Sequence, residues 1–136
     1  RIVPCRYIVL ACIDPGCGSR STLLLDWEKL SFTCIERQIL FEAVFKVING
    51  RRSFYSSISS TKRPFVRYDP GCMVPMGDIC HRAQDILNHQ RWLSETVYFE
   101  WECRTILVID NWRVLHGRSR CHQPDEDRQL LRFSVI

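Results

Sequence analysis

Near its C-terminal end the chain carries an unbroken aliphatic run, Ile106-Leu107-Val108-Ile109, which predicts a strand buried on both faces. Asp110-Asn111 breaks it, because short Asx side chains hydrogen-bond nearby backbone and favour turns. Beyond the turn, Trp112, Val114 and His116 fall at alternate positions, so a second short strand is predicted with those three side chains on one face. Gly117 leaves the backbone beside His116 uncrowded. Working from the start, residues 6–13 read as a strand and the Asp14-Pro15-Gly16-Cys17-Gly18-Ser19 stretch as a loop. The Thr22-Leu23-Leu24-Leu25-Asp26-Trp27 segment follows, with Asp26 or Ser31 as candidate helix caps. Ile35, Ile39, Leu40, Ala43, Val44 and Val47 recur at three- and four-residue intervals, which predicts a helix over residues 35–48 ended by Asn49-Gly50. Strands are predicted over residues 53–59 and 64–68, and Asp69-Pro70-Gly71 is a turn. Ile79, Ala83, Ile86, Leu87, Leu93, Val97 and Tyr98 form the apolar stripe of one long helix, or of two joined near Asn88. A connector over residues 101–104, a polar loop over 119–127 and a closing strand over 128–136 complete the order. Strands at both ends with helices between them give a mainly β architecture with helical insertions, and no repeat or linker divides residues 1–136, so a single domain is expected.

Composition narrows this picture. At 136 residues the chain can bury one core, and 46% hydrophobic with 25% charged residues suits a soluble globular domain. The net charge of +4 is mild and its arginines are scattered without interleaved aromatics, which argues against a nucleic-acid groove. No apolar run approaches the ~18 to 20 residues of a membrane span. Eight cysteines, at 5, 12, 17, 34, 72, 80, 103 and 121, include no Cys-x2-Cys pair, and several sit in apolar stretches where thiols act as small hydrophobes. A reducing, cytoplasmic setting follows, with extracellular disulfides as the alternative. The chain opens on Arg1 rather than Met, which suits a fragment or a processed product.

A lone histidine such as His116 is, by spacing alone, more often structural than a ligand. The words around it change that balance: Leu-Val-Ile-Asp-Asn-Trp-Arg-Val-Leu-His-Gly-Arg, ending at Arg118, resembles without a gap the distal-histidine segment of the iron(II) and 2-oxoglutarate dependent oxygenases of the taurine dioxygenase and γ-butyrobetaine/trimethyllysine hydroxylase group. The resemblance implies a double-stranded β-helix (jelly roll) of the clavaminate synthase-like kind, here a C-terminal portion without its N-terminal part. It makes His116 an iron(II) ligand. It also makes Arg128, twelve residues further on, the partner of the distal carboxylate of 2-oxoglutarate, which a planar guanidinium can grip through two parallel hydrogen bonds. Thr22, after a glycine-containing loop, is similar to a family threonine that shares that carboxylate. Arg132 resembles a second family arginine near co-substrate and substrate, and Pro64-Phe65-Val66-Arg67-Tyr68-Asp69 resembles a strand lining the substrate pocket, with Arg67 or Tyr68 facing it. On a strand, Arg128 and Arg132 would point the same way; the bland reading of both is a solvated strand face.

The chain departs from the family at one place. The first two iron ligands form a His-x-Asp or His-x-Glu motif, and the residues two after His81, His89, His116 and His122 are Ala83, Arg91, Arg118 and Pro124. In relatives the motif lies just upstream of the strand that residues 6–13 resemble. The expected function is a dioxygenase that uses molecular oxygen and 2-oxoglutarate to oxidise an aliphatic C–H of a small polar substrate, amino-acid, betaine or natural-product-like, with release of succinate and CO2. The alternative is a non-catalytic jelly-roll domain that holds a small carboxylate without iron, or an inactive remnant of such an enzyme; a cysteine hydrolase built on Cys121-His122 is the third reading. Neither nucleic acid nor membrane is an expected partner, and a homo-oligomer is left open.

Overall fold

The computed structural model describes residues 2–17, 20–119 and 128–136. Part of the glycine-containing loop and most of the polar loop at 119–127 therefore lie outside the described residues. The chain divides into two compact units, one formed by Trp27–Glu95 with the first residues, the other by Pro4–Asp26 with Thr96–Ile136.

The second unit carries two antiparallel sheets. Strand β1 (Tyr7–Asp14) sits between β7 (Ile106–Asp110) and β9 (Gln129–Val135), and β2 (Thr22–Asp26) sits between β6 (Val97–Phe99) and β8 (Val114–Arg118). Aliphatic and β-branched residues at alternate positions suit a pleated surface, and β1 buries Ile8 and Cys12 while β7 buries Ile109. The opposite face of β7 is exposed, with Ile106 64% and Val108 59% accessible, so the strand predicted to be buried on both faces is covered on one. The predicted turn is present: Asp110 Oδ1 accepts from the backbone N–H of Trp112 at 3.1 Å, and Arg113 N donates to the Asp110 carbonyl at 3.1 Å. Trp112 belongs to this turn, not to β8, and its indole N–H donates to the Pro4 carbonyl at 3.1 Å.

The first unit holds α1 (Cys34–Glu42), β3 (Val44–Asn49), β4 (Arg52–Ser57), β5 (Met73–Pro75) and α2 (Asp78–Ile86), with short 3₁₀ turns at Trp27–Lys29 and His89–Trp92. Strand β3 lies between β4 and β5, α1 packs on α2, and Phe45, Leu40, Ile58 and Ala83 are fully buried between them. Several predicted elements are corrected here. The helix of residues 35–48 stops at Glu42, because Val44 to Ile48 also alternates with period two, and Phe45 and Val47 go inward as a strand. Its cap is Thr33, neither Asp26 nor Ser31: the Thr33 hydroxyl accepts from Glu36 N and the Glu36 carboxylate accepts from Thr33 N, a reciprocal capping box. Asn49-Gly50 therefore starts a hairpin rather than ending a helix, and Gly50, at φ +61°, takes the left-handed first position of the two-residue loop. Residues 64–68 form no strand; Pro64 lacks an N–H, and the segment is held instead by Arg67 N donating to the Ile58 carbonyl. The stripe running to Tyr98 is interrupted at Asn88, whose side chain caps Gln90 N, and Val97-Tyr98 belong to β6. Among the described residues no helix is long and apolar enough to cross a membrane. Cys5, Cys12, Cys17, Cys34, Cys72, Cys80 and Cys103 are free thiols, Cys12 and Cys80 being buried.

Candidate active site

The site is built on the β2–β8 ladder, where Thr22 pairs with Arg118 and Leu24 with His116. Directly paired residues of an antiparallel ladder share a face, as do positions i and i+2 of one strand, so Thr22 and His116 lie on one face of the sheet. Bonds beyond the ladder hold its end: Ser119 N donates to the Ser21 carbonyl at 3.1 Å, Ser21 N to Ser119 Oγ at 2.9 Å, and Arg20 Nε to the Ser119 carbonyl at 2.9 Å. At the other end, Arg113 grips Asp26 through two N–H donors, each at 2.8 Å.

Thr22 is buried, at 5% exposure, and its Oγ1 accepts from the indole N–H of Trp101 at 2.9 Å. Trp101 is itself buried, edge-on to Phe99, whose ring lies 4.9 Å away. The connector carrying it is pinned to β1, with Cys12 N donating to the Thr105 carbonyl and Arg104 N to the Cys12 carbonyl, both at 2.9 Å. The Arg128 guanidinium lies over the Trp101 ring, 5.9 Å from its centroid, and Nη1 donates to the Arg20 carbonyl at 2.8 Å. Its charge also reaches Cys12, whose thiol is pushed up chiefly by burial and then by Cys103, with Arg128 pulling the other way. A tryptophan thus joins Thr22 to Arg128 in one cluster. The Thr22 hydroxyl accepts from Trp101 and has its own proton to donate, and a guanidinium carries five donors, so the pair suits a carboxylate.

His116, exposed on β8, has its Nε2 3.2 Å from Asn111 Oδ1. Asn111 is fixed by its backbone N–H on the Arg6 carbonyl (2.8 Å) and its side-chain NH2 on the Cys5 carbonyl (2.9 Å). With the amide nitrogen committed to a carbonyl, the amide oxygen faces the imidazole and orients the ring through Nε2.

Arg132 on β9 pairs with Leu10 of β1 and is exposed, and Arg128 immediately precedes that strand. Arg67 and Tyr68 belong to the first unit. The Arg67 guanidinium packs over Phe54 (4.8 Å) and Phe65 (5.4 Å) and donates to the Ile2 carbonyl at 2.7 Å; burial, then Arg63, lowers its pKa. Burial raises that of Tyr68. Sequence reasoning missed Trp101, read only as a connector, and the hold of Asn111 on His116. The first could not be seen, since Trp101 meets a partner 79 residues away; the second had a signal in the five-residue spacing of Asn111 and His116 within one hairpin.

Among the described residues no three His, Cys, Asp or Glu side chains are grouped to hold a metal ion. A facial iron centre takes two histidines and a carboxylate. His116 offers one such donor, so the described residues do not by themselves make an iron site.

The two small antiparallel sheets with helical insertions are a jelly roll of the kind built by non-heme iron oxygenases. The chain is similar to an asparagine oxygenase in complex with Fe(II), (2S,3S)-3-hydroxyasparagine and succinate (TM-score 0.77, 15% identity, 97% of this chain and 46% of that one). It is also similar to the non-heme iron oxygenase OrfP, both in complex with Fe and α-ketoglutaric acid (TM-score 0.69, 23% identity, 99% and 46%) and with Fe, succinate and (3R,4R)-dihydroxy-L-Arg (TM-score 0.72, 21% identity, 100% and 49%). The chain spans a little under half the length of these proteins. No family model and no curated protein matches it.

Proposed function

We propose that the chain is a C-terminal portion of an iron(II)/2-oxoglutarate-dependent dioxygenase, a single oxygenase domain of the taurine dioxygenase-like group when whole. The observation that carries this reading is the cluster of Arg128, Trp101 and Thr22 beside the sheet face that presents His116. In it, Arg128 and Thr22 hold the distal carboxylate of 2-oxoglutarate. Trp101 fixes the threonine hydroxyl and covers the guanidinium, which strengthens a charge-assisted bond by excluding water. His116, oriented by Asn111, is one iron ligand, and the remaining two come from outside the described residues. Iron with 2-oxoglutarate and oxygen supplies the oxidising chemistry, and the protein supplies binding and orientation. The substrate is a small zwitterion of amino-acid type, oxidised at an aliphatic C–H while 2-oxoglutarate becomes succinate and CO2; Arg132, Arg67 and Tyr68 are the residues proposed to meet it. A cytoplasmic location suits the free thiols.

The same cluster supports a second reading, a carboxylate-binding jelly roll, because its carboxylate-binding part is independent of iron. Calorimetric titration of the 136-residue chain with 2-oxoglutarate, then with succinate and glutarate as competitors, tests the shared core of both. Saturable binding of dicarboxylates is expected. Binding that survives loss of both Arg128 and the Thr22 hydroxyl would reject the site.

A further inference from the structure

The first unit holds a cavity of about 470 Å3 that the proposed oxygenase chemistry leaves unused, lined by Trp27, Phe32, Arg37, Phe41 and the loop at residues 59–61. Its volume falls in the range of small-molecule sites. Local structure fixes its walls. Arg37 and Phe41 stand four apart on α1, so they project from one side of that helix. The loop is tied to the same helix by Ser59 N, which donates to the Leu40 carbonyl at 3.2 Å. Arg63 holds the strand end before it, with Nη1 donating to Ser56 Oγ at 2.7 Å and Nη2 to the Ser57 carbonyl at 2.8 Å. Trp27 lines the cavity from the first 3₁₀ turn, its ring 5.0 Å from that of Phe32, which is edge-on to Trp92 at 5.3 Å.

The chemistry of the lining selects a ligand. Three aromatic rings contribute, and Phe41 is 44% exposed, so its ring is left outside the core of the unit. Among the described residues that line the cavity, Arg37 is the one charged side chain, its guanidinium 5.9 Å from the Phe32 ring centroid. Ser60 Oγ accepts from Lys62 N at 3.1 Å and keeps its own proton to donate. Aromatic faces beside a guanidinium and a hydroxyl donor match a planar ring that carries a carboxylate: the ring stacks on the aromatic side chains while the anion takes the charge-assisted bonds. An uncharged aromatic would gain nothing from the guanidinium, and a cation would be repelled by it. We propose that this cavity is a binding site for a small aromatic carboxylate. It shares no residue with the cluster of Arg128, Trp101 and Thr22, so the proposal stands apart from the 2-oxoglutarate reading.

Titration of the 136-residue chain with indole-3-acetate tests it, followed by calorimetry and by the assigned Trp27 indole N–H signal of isotope-labelled protein. Saturable binding that shifts the Trp27 signal is expected, tighter than that of uncharged indole-3-ethanol and unaffected by excess 2-oxoglutarate. Arg37→Met keeps an aliphatic stem over Phe32 and should weaken indole-3-acetate several-fold to about tenfold while leaving indole-3-ethanol unchanged. Arg37→Glu should reverse the preference in favour of the cation tryptamine, an exchange that misfolding cannot produce. The proposal is overturned by a lack of saturable binding, by equal affinity for the acid and the alcohol, or by an affinity that Arg37→Met leaves unchanged. Displacement of indole-3-acetate by 2-oxoglutarate would overturn it too, by assigning the anion to the Arg128 cluster.

Discussion

Arg128 and Arg132 stand four apart in sequence, yet one lies over a buried indole and donates to a carbonyl while the other is exposed on β9. That difference gives the proposed co-substrate site its sharpest expectation. Arg128→Ala removes a guanidinium from a half-buried carboxylate site and should cost about 2 to 5 kcal/mol, roughly 30-fold to several thousand-fold in 2-oxoglutarate affinity. Arg132→Ala should cost far less. Calorimetry on the two variants settles it, and equal small losses would reject the assignment. Trp101→Phe keeps a ring beneath the guanidinium but deletes the N–H that the buried Thr22 hydroxyl accepts. An unfolding cost of about 1 to 3 kcal/mol is expected; an unchanged urea midpoint would show that water replaces the indole. Of the residues in the proposed site, His116, Arg128 and Thr22 are candidates from local words in the sequence, because each sits in a short segment with a family likeness. Trp101 is not, because its role exists only once distant strands are paired.

At the level of elements, the sequence was readable where one periodicity ruled and misleading where two overlapped. The β1, β7 and β9 stretches are short apolar runs without a helical stripe, and strands are found there. Residues 35–48 satisfy both periods across Ala43, Val44 and Val47, and the helix yields to a strand once β4 and β5 are available as partners. What stops α1 from drifting is its N-terminus. Thr33→Ala should destabilise by about 1 kcal/mol, measured by urea unfolding. Glu36 in the same box is lowered to about 2, first by its bond with Arg91 and then by Thr33 N. A carboxyl whose pKa is depressed on folding adds stability above its unfolded value, ~4.3, and loses it as pH falls towards the folded value. The pair is at the surface, so its contribution is about 0.2 to 1 kcal/mol. The stability gap between the natural chain and Glu36→Gln should therefore shrink between pH 5 and pH 2, and a gap constant across that window would contradict the assignment.

For the molecule as a whole, what could be read from the sequence was the jelly roll and one end of a site; what could not was how the sheet faces are distributed. A run such as Ile106-Leu107-Val108-Ile109 says that both faces are apolar, and only the folded chain shows that Val108 and Ile106 meet solvent while Ile109 does not. The absent His-x-Asp motif and the lack of a metal-holding group around His116 among the described residues bear on the proposed account, in which further iron ligands come from outside those residues. Succinate formation coupled to oxygen uptake, with bound iron measured in parallel, tests that account most directly when the 136-residue chain is compared with a form extended upstream. Weak iron binding and little turnover are expected from the short chain, and near-stoichiometric iron with 2-oxoglutarate-dependent succinate from the extended one. Stoichiometric iron and robust turnover in the short chain, or neither in the extended form, would contradict it.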